Sequence, residues 1–276
     1  MPELAQKFET CDPVWADVRE EAAKIAGREP MLASFLHATV LNHQTFEASL
    51  SFHLSQKLGS EEMPSMLLRQ VFDDAFSADE NIGVAMRADL NAVNDRDPAC
   101  DCLLTPLLYF KGFHALQAYR VAHHLWHSDR KAMGLFLQNR ISEQFGVDVH
   151  PAAKIGKGVM IDHATGVVIG ETSVVEDDVS ILHSVTLGGT GKETGDRHPK
   201  VRRGALVSVG AQVLGNIEVG ECARVGAGSV VLKDVPAGCT AAGVPAKITG
   251  CAGSKLPSHA MEHTWQEGEE DPAAFI

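Results

Sequence analysis

The sequence predicts an α+β protein in which an all-helical N-terminal domain precedes a parallel β-helix. Two observations carry this prediction. Residues 1–146 show apolar residues at helical spacing, and residues 147–253 show an aliphatic residue at every sixth position, with an abrupt shift to Val, Ile, Gly and Ala. The remaining residues, 254–276, carry five acidic residues against one lysine and are interrupted by Pro and Gly. We therefore expect a third region, a flexible acidic tail.

The helical region opens at Asp12-Pro13, where an acidic residue precedes a proline suited to the first helical turn. Gly27 and Gly59 mark later helix ends. Pro98 disfavours helix at Asp97, so residues 94–100 are predicted to break the helical pattern. Helical segments are expected at 14–26, 31–58, 63–76, 82–93, 105–127 and 129–145.

The six-residue repeat fits neither an ordinary sheet nor an amphipathic helix, whose periods are 2 and 3.6. It is typical of a β-solenoid in which each hexad forms one flat side and three sides complete a coil. Successive coils would then stack about 4.8 Å apart. The leading aliphatic residues are Val149, Ile155, Ile161, Ile169, Val175, Ile181, Leu187, Val201, Val207, Val213, Val219, Val225 and Val231. After Pro236 we expect one last, looser coil.

Two interruptions of the repeat predict loops that leave the solenoid. Two extra residues lie between Ile161 and Ile169, and eight lie between Leu187 and Val201. Each interruption carries a histidine beside charged or glycine residues, in the segments DHATG and GDRHPK. Loops on a rigid scaffold are favoured places for function, so both segments are candidate site regions.

Composition excludes several classes of protein. A formal charge of -12 argues against binding to nucleic acid or to an anionic membrane surface. No apolar run approaches the ~18 residues of a membrane span, and no signal peptide is recognisable at the N-terminus, so a cytoplasmic protein is expected. The six cysteines lack zinc spacing and are expected to be unpaired thiols.

The histidines are the first candidates for chemistry, because imidazole exchanges a proton near neutral pH. His163, in the shorter interruption, and His198, at the expected tip of the longer one, form a candidate site with Arg197. Asp148 and Asp162 lie near them in sequence. His183 falls one coil after His163 at the same hexad position and is expected to stack against it or to have no role.

Two other patterns leave alternatives open. His123, His124 and His127 have helical spacing and could hold a metal, but a polar helix face explains them more simply. The basic residues crowded into the longer interruption suggest an anionic ligand, whereas a solvated charge run is the competing interpretation.

The segments DHATG, SVTLGGTGK, GDRHPK and TAAGVPAKI closely resemble the serine O-acetyltransferases of bacterial cysteine biosynthesis, and the likeness extends to RDPAC in the helical half. The resemblance implies a left-handed parallel β-helix. It also implies a hexamer built as a dimer of trimers, with active sites between neighbouring subunits. The implied reaction transfers acetyl from acetyl-CoA to the hydroxyl of L-serine without a metal.

The resemblance also implies residue roles. His163 would be the general base and Asp148 its partner, while Arg197 and His198 would bind the amino acid together with Asp97 and Asp162. Acetyl-CoA would bind in contact with Gly189, Gly210, Ala227 and Lys247. Family members are inhibited by L-cysteine, and their C-terminal isoleucine, here Ile276, inserts into O-acetylserine sulfhydrylase.

Three rival functions remain at this point. Another hexapeptide-repeat acetyltransferase, acting on a sugar or an antibiotic, would not need Asp97 and Arg197 to hold an amino acid. A metal-dependent carbonic anhydrase on the same solenoid would need three histidines converging on zinc. A non-catalytic assembly subunit would release no CoA in the presence of serine.

Overall fold

A computed structural model describes residues 12–191, 194–251 and 256–261 of the chain. Helices fill the first half and short parallel strands the second, which confirms the predicted fold class. The helices are α1 Pro13–Arg28, α2 Pro30–Leu36, a π-helical turn His37–Leu41, α3 Phe46–Leu58, α4 Ser65–Ala78, α5 Glu80–Arg96, α6 Leu104–Tyr109, α7 Lys111–His127 and α8 Lys131–Phe145.

Side-chain caps and breaks set the helix ends. The Asp12 carboxylate caps α1 by accepting a hydrogen bond from the Trp15 amide at 3.3 Å, as predicted from the Asp-Pro pair. The segment expected as one helix over 105–127 is two helices, because the chain turns extended at Phe110 (φ −87°, ψ 108°). The segment 31–58 is also divided, by the π-helical turn and by residues 42–45.

The solenoid is a triangular β-helix whose three flat sheets we call faces A, B and C. Each of the thirteen leading aliphatic residues lies in its own strand. Face A contains β1 Val147–Val149, β4 Val167–Ile169, β7 Thr186–Gly188, β10 Gln212–Leu214 and β13 Val230–Val231; face B contains β2 Lys154–Ile155, β5 Val174–Val175, β8 Lys200–Val201 and β11 Glu218–Val219; face C contains β3 Met160–Ile161, β6 Ser180–Ile181, β9 Leu206–Val207, β12 Arg224–Val225 and β14 Cys239–Gly243.

The strand register places the leading residues in columns. Val149 pairs with Ile169, and Ile169 pairs with Leu187, so the column on face A rises one coil at a time. Leu187 and Val213 are fully buried within it. Each fully buried aliphatic side chain of this size contributes roughly 1.5–3 kcal/mol, which explains why the repeat keeps its phase.

The end of the solenoid differs from the prediction of a looser coil. β14 continues face C, and the chain then reverses into β15 Ala246–Cys251, which pairs antiparallel with it. A disulfide joins Cys239 to Cys251 across this hairpin. The expectation that all cysteines are unpaired was therefore wrong for these two, because the hairpin brings together residues twelve positions apart. Cys11 lies outside the described residues.

The helical domain covers the first coil through α5 and α7. Asp89 of α5 and Arg120 of α7 form a buried ion pair at 2.6 Å. Asp89 also accepts the amide of Val159, at 3.0 Å, and Arg120 donates to the carbonyl of Gly156, at 2.6 Å. Both are groups of the first coil, so one ion pair ties the two halves of the chain together.

The start of the predicted tail packs on the solenoid. Residues 257–260 form helix α9, and the Ser180 hydroxyl donates to the carbonyl of the fully buried Ser258 at 2.9 Å. His259 lies 3.1 Å from the Arg96 guanidinium of α5. Residues 262–276, including Ile276, lie outside the described part of the chain. Among the described helices, none combines the length and the apolar character of a membrane span.

Candidate active site

The candidate residues lie at two corners of the triangle, on either side of face A. Corner CA, where face C turns into face A, consists of residues 162–166, 182–185, 208–211 and 226–229. Corner AB, where face A turns into face B, consists of residues 150–153, 170–173, 189–199 and 215–217, of which 192–193 are not described. Glu171 lies five positions after Gly166 across face A, which is about 16 Å of extended chain.

His163 stands exposed on corner CA. Its side chain is 74% exposed, and its Nε2 lies 3.8 Å from a carboxylate oxygen of Asp162. His163 and Ala164 both have left-handed backbone, with φ of 54° and 60°. The two surplus residues of the interruption are thus taken up in a tight turn, which projects the imidazole away from the packed column. Backbone of this kind in non-glycine residues is uncommon and often marks functional positions.

His183 lies one coil above His163, and the predicted stacking is confirmed. The two rings meet edge to face, with centroids 5.6 Å apart. The Ser184 amide bonds to the Thr165 carbonyl at 2.8 Å, so the two turns form adjacent rungs of one corner. The Nδ1 atom of His183 is buried and has no hydrogen-bond partner within the described residues.

Asp148 lies on β1 at the start of face A. Its carboxylate accepts a hydrogen bond of 2.6 Å from the Gln138 amide of α8. No hydrogen bond among the described residues joins Asp148 to His163. The turns that contain Gly146, just before Asp148, and Gly166, just after His163, are nevertheless adjacent in space. The Gly166 amide donates to the Gly146 carbonyl at 2.7 Å. Gln138 was not predicted, and its position on a helix in another domain gave no sequence signal.

Arg197 and His198 lie on corner AB. The Arg197 guanidinium donates to Glu171 at 2.7 Å and to the Gly195 carbonyl at 2.9 Å. His198 is only 7% exposed and is not at the loop tip as predicted, because the loop folds back onto Thr172. Burial, aided by the Arg197 charge, lowers the pKa of His198. Glu171 and Thr172 were both missed, since nothing in the hexad pattern distinguishes them.

Gly170 provides the seat for the His198 ring. A Cβ atom at this position would lie 2.1 Å from the Nε2 and Cδ2 atoms of His198. Position 170 therefore requires glycine for reasons of space, because the methyl group of an alanine there would overlap the imidazole of His198. Gly189 lies on the other side, where an added Cβ would lie 3.5 Å from the Nε2 atom. Glycine at these two positions therefore lets the ring pack against the backbone of the solenoid.

Asp97 ends helix α5 in the break predicted before Pro98. Its carboxylate accepts the Ala99 amide at 2.8 Å, and its side chain is partly exposed. The preceding Arg96 reaches face C and donates to the Ser180 hydroxyl at 3.1 Å. Asp97 is therefore held beside face C, although no described hydrogen bond or ion pair links it to Asp162 or His163.

The four residues predicted to contact the cofactor divide between the two corners. Gly210 and Ala227 lie above His183 on corner CA, where the Gly210 amide bonds to the His183 carbonyl at 3.0 Å. Lys247 of β15 pairs with Ala242 of β14, beyond the last turn of corner CA. Gly189 lies on corner AB. Three of the four thus extend His163 into one strip, which crosses the five strand spacings from β3 to β15 and spans about 24 Å at about 4.8 Å per spacing.

The histidines of α7 serve the packing of the helix against the first coil. His123 contacts the Pro151 carbonyl at 2.7 Å, and its ring lies 4.5 Å from that of His127. Burial lowers the pKa of His123. Across the described residues, no group of three or more His, Cys, Asp or Glu side chains is arranged to hold a metal ion.

Comparison with known proteins reveals close relatives. Residues 14–118 match the family described as serine acetyltransferase, N-terminal. The serine acetyltransferase of Salmonella typhimurium is 54% identical over 268 residues, covering 95% of this chain and 98% of the relative.

Solved structures agree with the sequence comparison. A serine acetyltransferase in complex with cysteine has a TM-score of 0.91 and 53% identity, covering 92% of this chain and 99% of that one. The serine acetyltransferase of Brucella abortus in complex with coenzyme A has a TM-score of 0.88 and 48% identity, covering 90% of this chain and all of that one (100%).

Proposed function

The chain belongs to the serine acetyltransferase family, and we propose from this premise that it transfers acetyl from acetyl-CoA to the hydroxyl of L-serine, giving O-acetylserine and CoA. The observation that carries the proposal is the placement of His163, an exposed imidazole at one end of an open strip of small residues. Such a strip accommodates an extended thioester whose reactive end meets the base.

In the proposed reaction, the neutral imidazole of His163 removes the proton of the serine hydroxyl as its oxygen attacks the thioester carbonyl. The tetrahedral intermediate then expels the CoA thiolate, and the imidazolium returns the proton to the sulfur. Asp148 would orient His163 and stabilise its charged form, as the acid of a hydrolase triad does. The adjacent turns at Gly146 and Gly166 support this pairing.

We assign amino-acid binding to Arg197, His198, Asp97 and Asp162. A guanidinium suits the substrate carboxylate because it donates two parallel hydrogen bonds, and the two aspartates suit the ammonium and hydroxyl end of the amino acid. Arg197 and Asp162 lie at different corners of one chain, separated by face A. Their cooperation therefore requires corner AB of one copy to face corner CA of a second copy.

We assign acetyl-CoA to the strip on corner CA, with Gly210 and Ala227 against its extended arm. Lys247, at the far end, would lie near a phosphate. Gly189 would reach the same groove from corner AB of the neighbouring copy. The coenzyme A complex of the Brucella abortus relative supports this choice of co-substrate.

A single copy of the chain holds Arg197 and Asp162 at different corners, so its amino-acid site is incomplete, which supports an oligomer. We propose that this oligomer is a hexamer formed from two trimers. Trimers would place corner AB against corner CA three times around one axis. Exposed apolar side chains of the helical domain, including Met31 at 88% and Met66 at 76%, support pairing of the trimers through that domain.

Two further properties are proposed from family membership. L-cysteine would inhibit by occupying the serine position, which the cysteine complex of a relative supports. Ile276 would enter the active site of O-acetylserine sulfhydrylase, and deletion of Ile276 should abolish that binding while acetyl transfer is retained. We also propose a cytoplasmic location, since the co-substrate acetyl-CoA is available there.

A thiol-release assay tests the proposed function. The purified protein and acetyl-CoA are combined with serine, other hydroxy amino acids, sugars and aminoglycosides in turn. Release of CoA with serine well above all other acceptors is the expected result. Preference for a sugar or an aminoglycoside, or no release with any acceptor, would refute the proposal.

A further inference from the structure

The Thr172 hydroxyl anchors the backbone of the loop that carries Arg197 and His198. It accepts a hydrogen bond from the Arg197 amide at 3.0 Å and another from the His198 amide at 3.1 Å. A hydroxyl oxygen has two acceptor sites and one proton, so both acceptor sites are now filled. Any further hydrogen bond of this hydroxyl must therefore be one in which it donates.

The third contact of the hydroxyl is with the His198 ring, whose Nδ1 atom lies 2.8 Å away. The hydroxyl proton can therefore go to Nδ1 or to the Asp196 carboxylate, whose pKa is lowered by Lys200 and, to a lesser degree, by the Thr172 hydroxyl. The backbone decides between the two ring tautomers, because the Thr172 amide also points at Nδ1, at 3.2 Å, and an amide can only donate. A proton on Nδ1 would face this amide proton and a hydroxyl whose acceptor sites are filled, and it would lose the hydrogen bond from the amide.

We propose that Thr172 is a positioning residue that holds His198 as the neutral tautomer with its proton on Nε2, so that the ring presents one N–H donor to the carboxylate of the amino-acid substrate. This inference rests on the proposed function. The proposed function assigned substrate binding to His198 alone. The inference adds Thr172 as the residue that positions the ring, and it defines which ring nitrogen carries the proton. Within the described residues Nε2 packs against the backbone of Gly170 and Gly189, and no hydrogen bond occupies it.

The surroundings of the ring favour the same state. His198 is buried beside the Arg197 and Lys200 cations, and the Lys200 ammonium donates to the His198 carbonyl at 2.7 Å. Burial and these charges lower the pKa of His198, while Glu171 and Asp196 oppose the effect. Arg197 supplies the positive charge for a carboxylate, so a neutral donor at His198 completes the recognition without burying a second cation.

Two substitutions at Thr172 test the proposal, with Thr39→Val on the π-helical turn as a matched control. Thr172→Val keeps the side-chain shape but removes the hydroxyl, whereas Thr172→Ser keeps the hydroxyl. We expect Thr172→Val to raise the KM for serine at least about 10-fold, the scale of one hydrogen bond to a charged group, with the KM for acetyl-CoA nearly unchanged. Thr172→Ser and Thr39→Val should resemble the unaltered protein.

A spectroscopic measurement reads the tautomer without substrate. In a ¹⁵N spectrum of histidine-labelled protein, the His198 signals are identified by their loss in His198→Gln. We expect Nε2 protonated and Nδ1 unprotonated in the unaltered protein. Protonated Nδ1 would overturn the proposal, as would an unchanged serine KM in Thr172→Val or a Thr172→Ser variant as impaired as Thr172→Val. If the unaltered protein shows no serine-dependent CoA release, the proposed function fails, while the ¹⁵N spectrum still decides the tautomer.

Discussion

The imidazole of His163 meets that of His183 edge to face, with ring centroids 5.6 Å apart, on two successive coils of the same corner. Their sequence separation of twenty residues corresponds to three hexads plus the two residues of the first interruption. The turn at His163 contains the surplus residues, so the strands on either side of it keep their register. The ring of His183 therefore lies directly against that of His163. The candidate base is thus in contact with a second imidazole on the next coil.

Replacing His163 tests the proposed base. His163→Ala should lower the turnover number by at least about 100-fold, the usual scale for loss of a general base, while acetyl-CoA binding is retained. Turnover is measured by thiol release and binding by calorimetry. His37→Ala, at an exposed histidine of the helical domain, serves as the control. Turnover near that of the unaltered protein would exclude His163 as the base.

Replacing Arg197 tests the amino-acid clamp. Arg197→Ala removes the guanidinium held by Glu171 and should raise the KM for serine far more than the KM for acetyl-CoA. Arg197→Lys should recover only part of the loss, because an ammonium cannot donate two parallel hydrogen bonds to a carboxylate. Steady-state kinetics with each substrate varied in turn provides the measurement. Equal effects on both KM values would contradict the assignment.

Gly170 offers a test of the seat beneath His198. Gly170→Ala places a methyl group 2.1 Å from the ring atoms and should displace the imidazole, raising the KM for serine and destabilising the fold by about 1–3 kcal/mol through overpacking. Gly27→Ala is the matched control, since an added Cβ there meets nothing within 4 Å. Thermal melting and serine kinetics report the two effects, and an unaffected Gly170→Ala would show that the ring is not seated there.

The buried pair of Asp89 and Arg120 should dominate the stability of the junction between the domains. Asp89→Asn leaves the Arg120 charge uncompensated in a buried site, so we expect the free energy of unfolding to fall by about 3–5 kcal/mol. The exposed pair of Glu20 and Lys24 provides the comparison, because Glu20→Gln should change the melting temperature little. Similar melting temperatures for both variants would show that the buried pair contributes no more than a surface pair.

Acid should destabilise the helical domain through a buried histidine pair. Burial, aided by Lys57, lowers the pKa of His53 to about 4, and burial beside His53 lowers that of His114 to about 3. Both stay neutral in the folded protein while their unfolded counterparts, with pKa near 6.5, take up protons. Stability is therefore full above pH 6.5 and falls as the pH drops toward 4 and 3, by up to about 1.4 kcal/mol per pH unit for each histidine.

Urea unfolding at pH 7 and pH 5 measures this loss. His114→Leu should lower stability at pH 7, since its ring contacts the Leu107 carbonyl at 2.7 Å, but should reduce the dependence on pH. His37→Leu, at an exposed position, should leave the pH dependence unchanged. The same pH dependence in His114→Leu as in the unaltered protein would rule out this pair as its source.

The periodicity of the sequence was sufficient to predict the β-helix and much of its register. Leu187 and Val201 both lie in strands of the solenoid although thirteen residues separate them, because a leading aliphatic residue is buried by its own coil and its two neighbours. The stacking of His183 on His163 followed from the same count. These are local properties, set by a spacing that repeats along the chain.

Other features were decided only by the tertiary structure. The disulfide between Cys239 and Cys251 depends on the reversal into β15, and the burial of His198 depends on Thr172 and Gly170, which the loop meets twenty-six and twenty-eight residues away. The division of the site residues between corners CA and AB likewise depends on which faces the interruptions connect. A repeat determines which side chains point inward, because each coil buries its own column. It does not determine where surplus residues fold, because their partners come from other coils, from the helical domain or from a second copy of the chain.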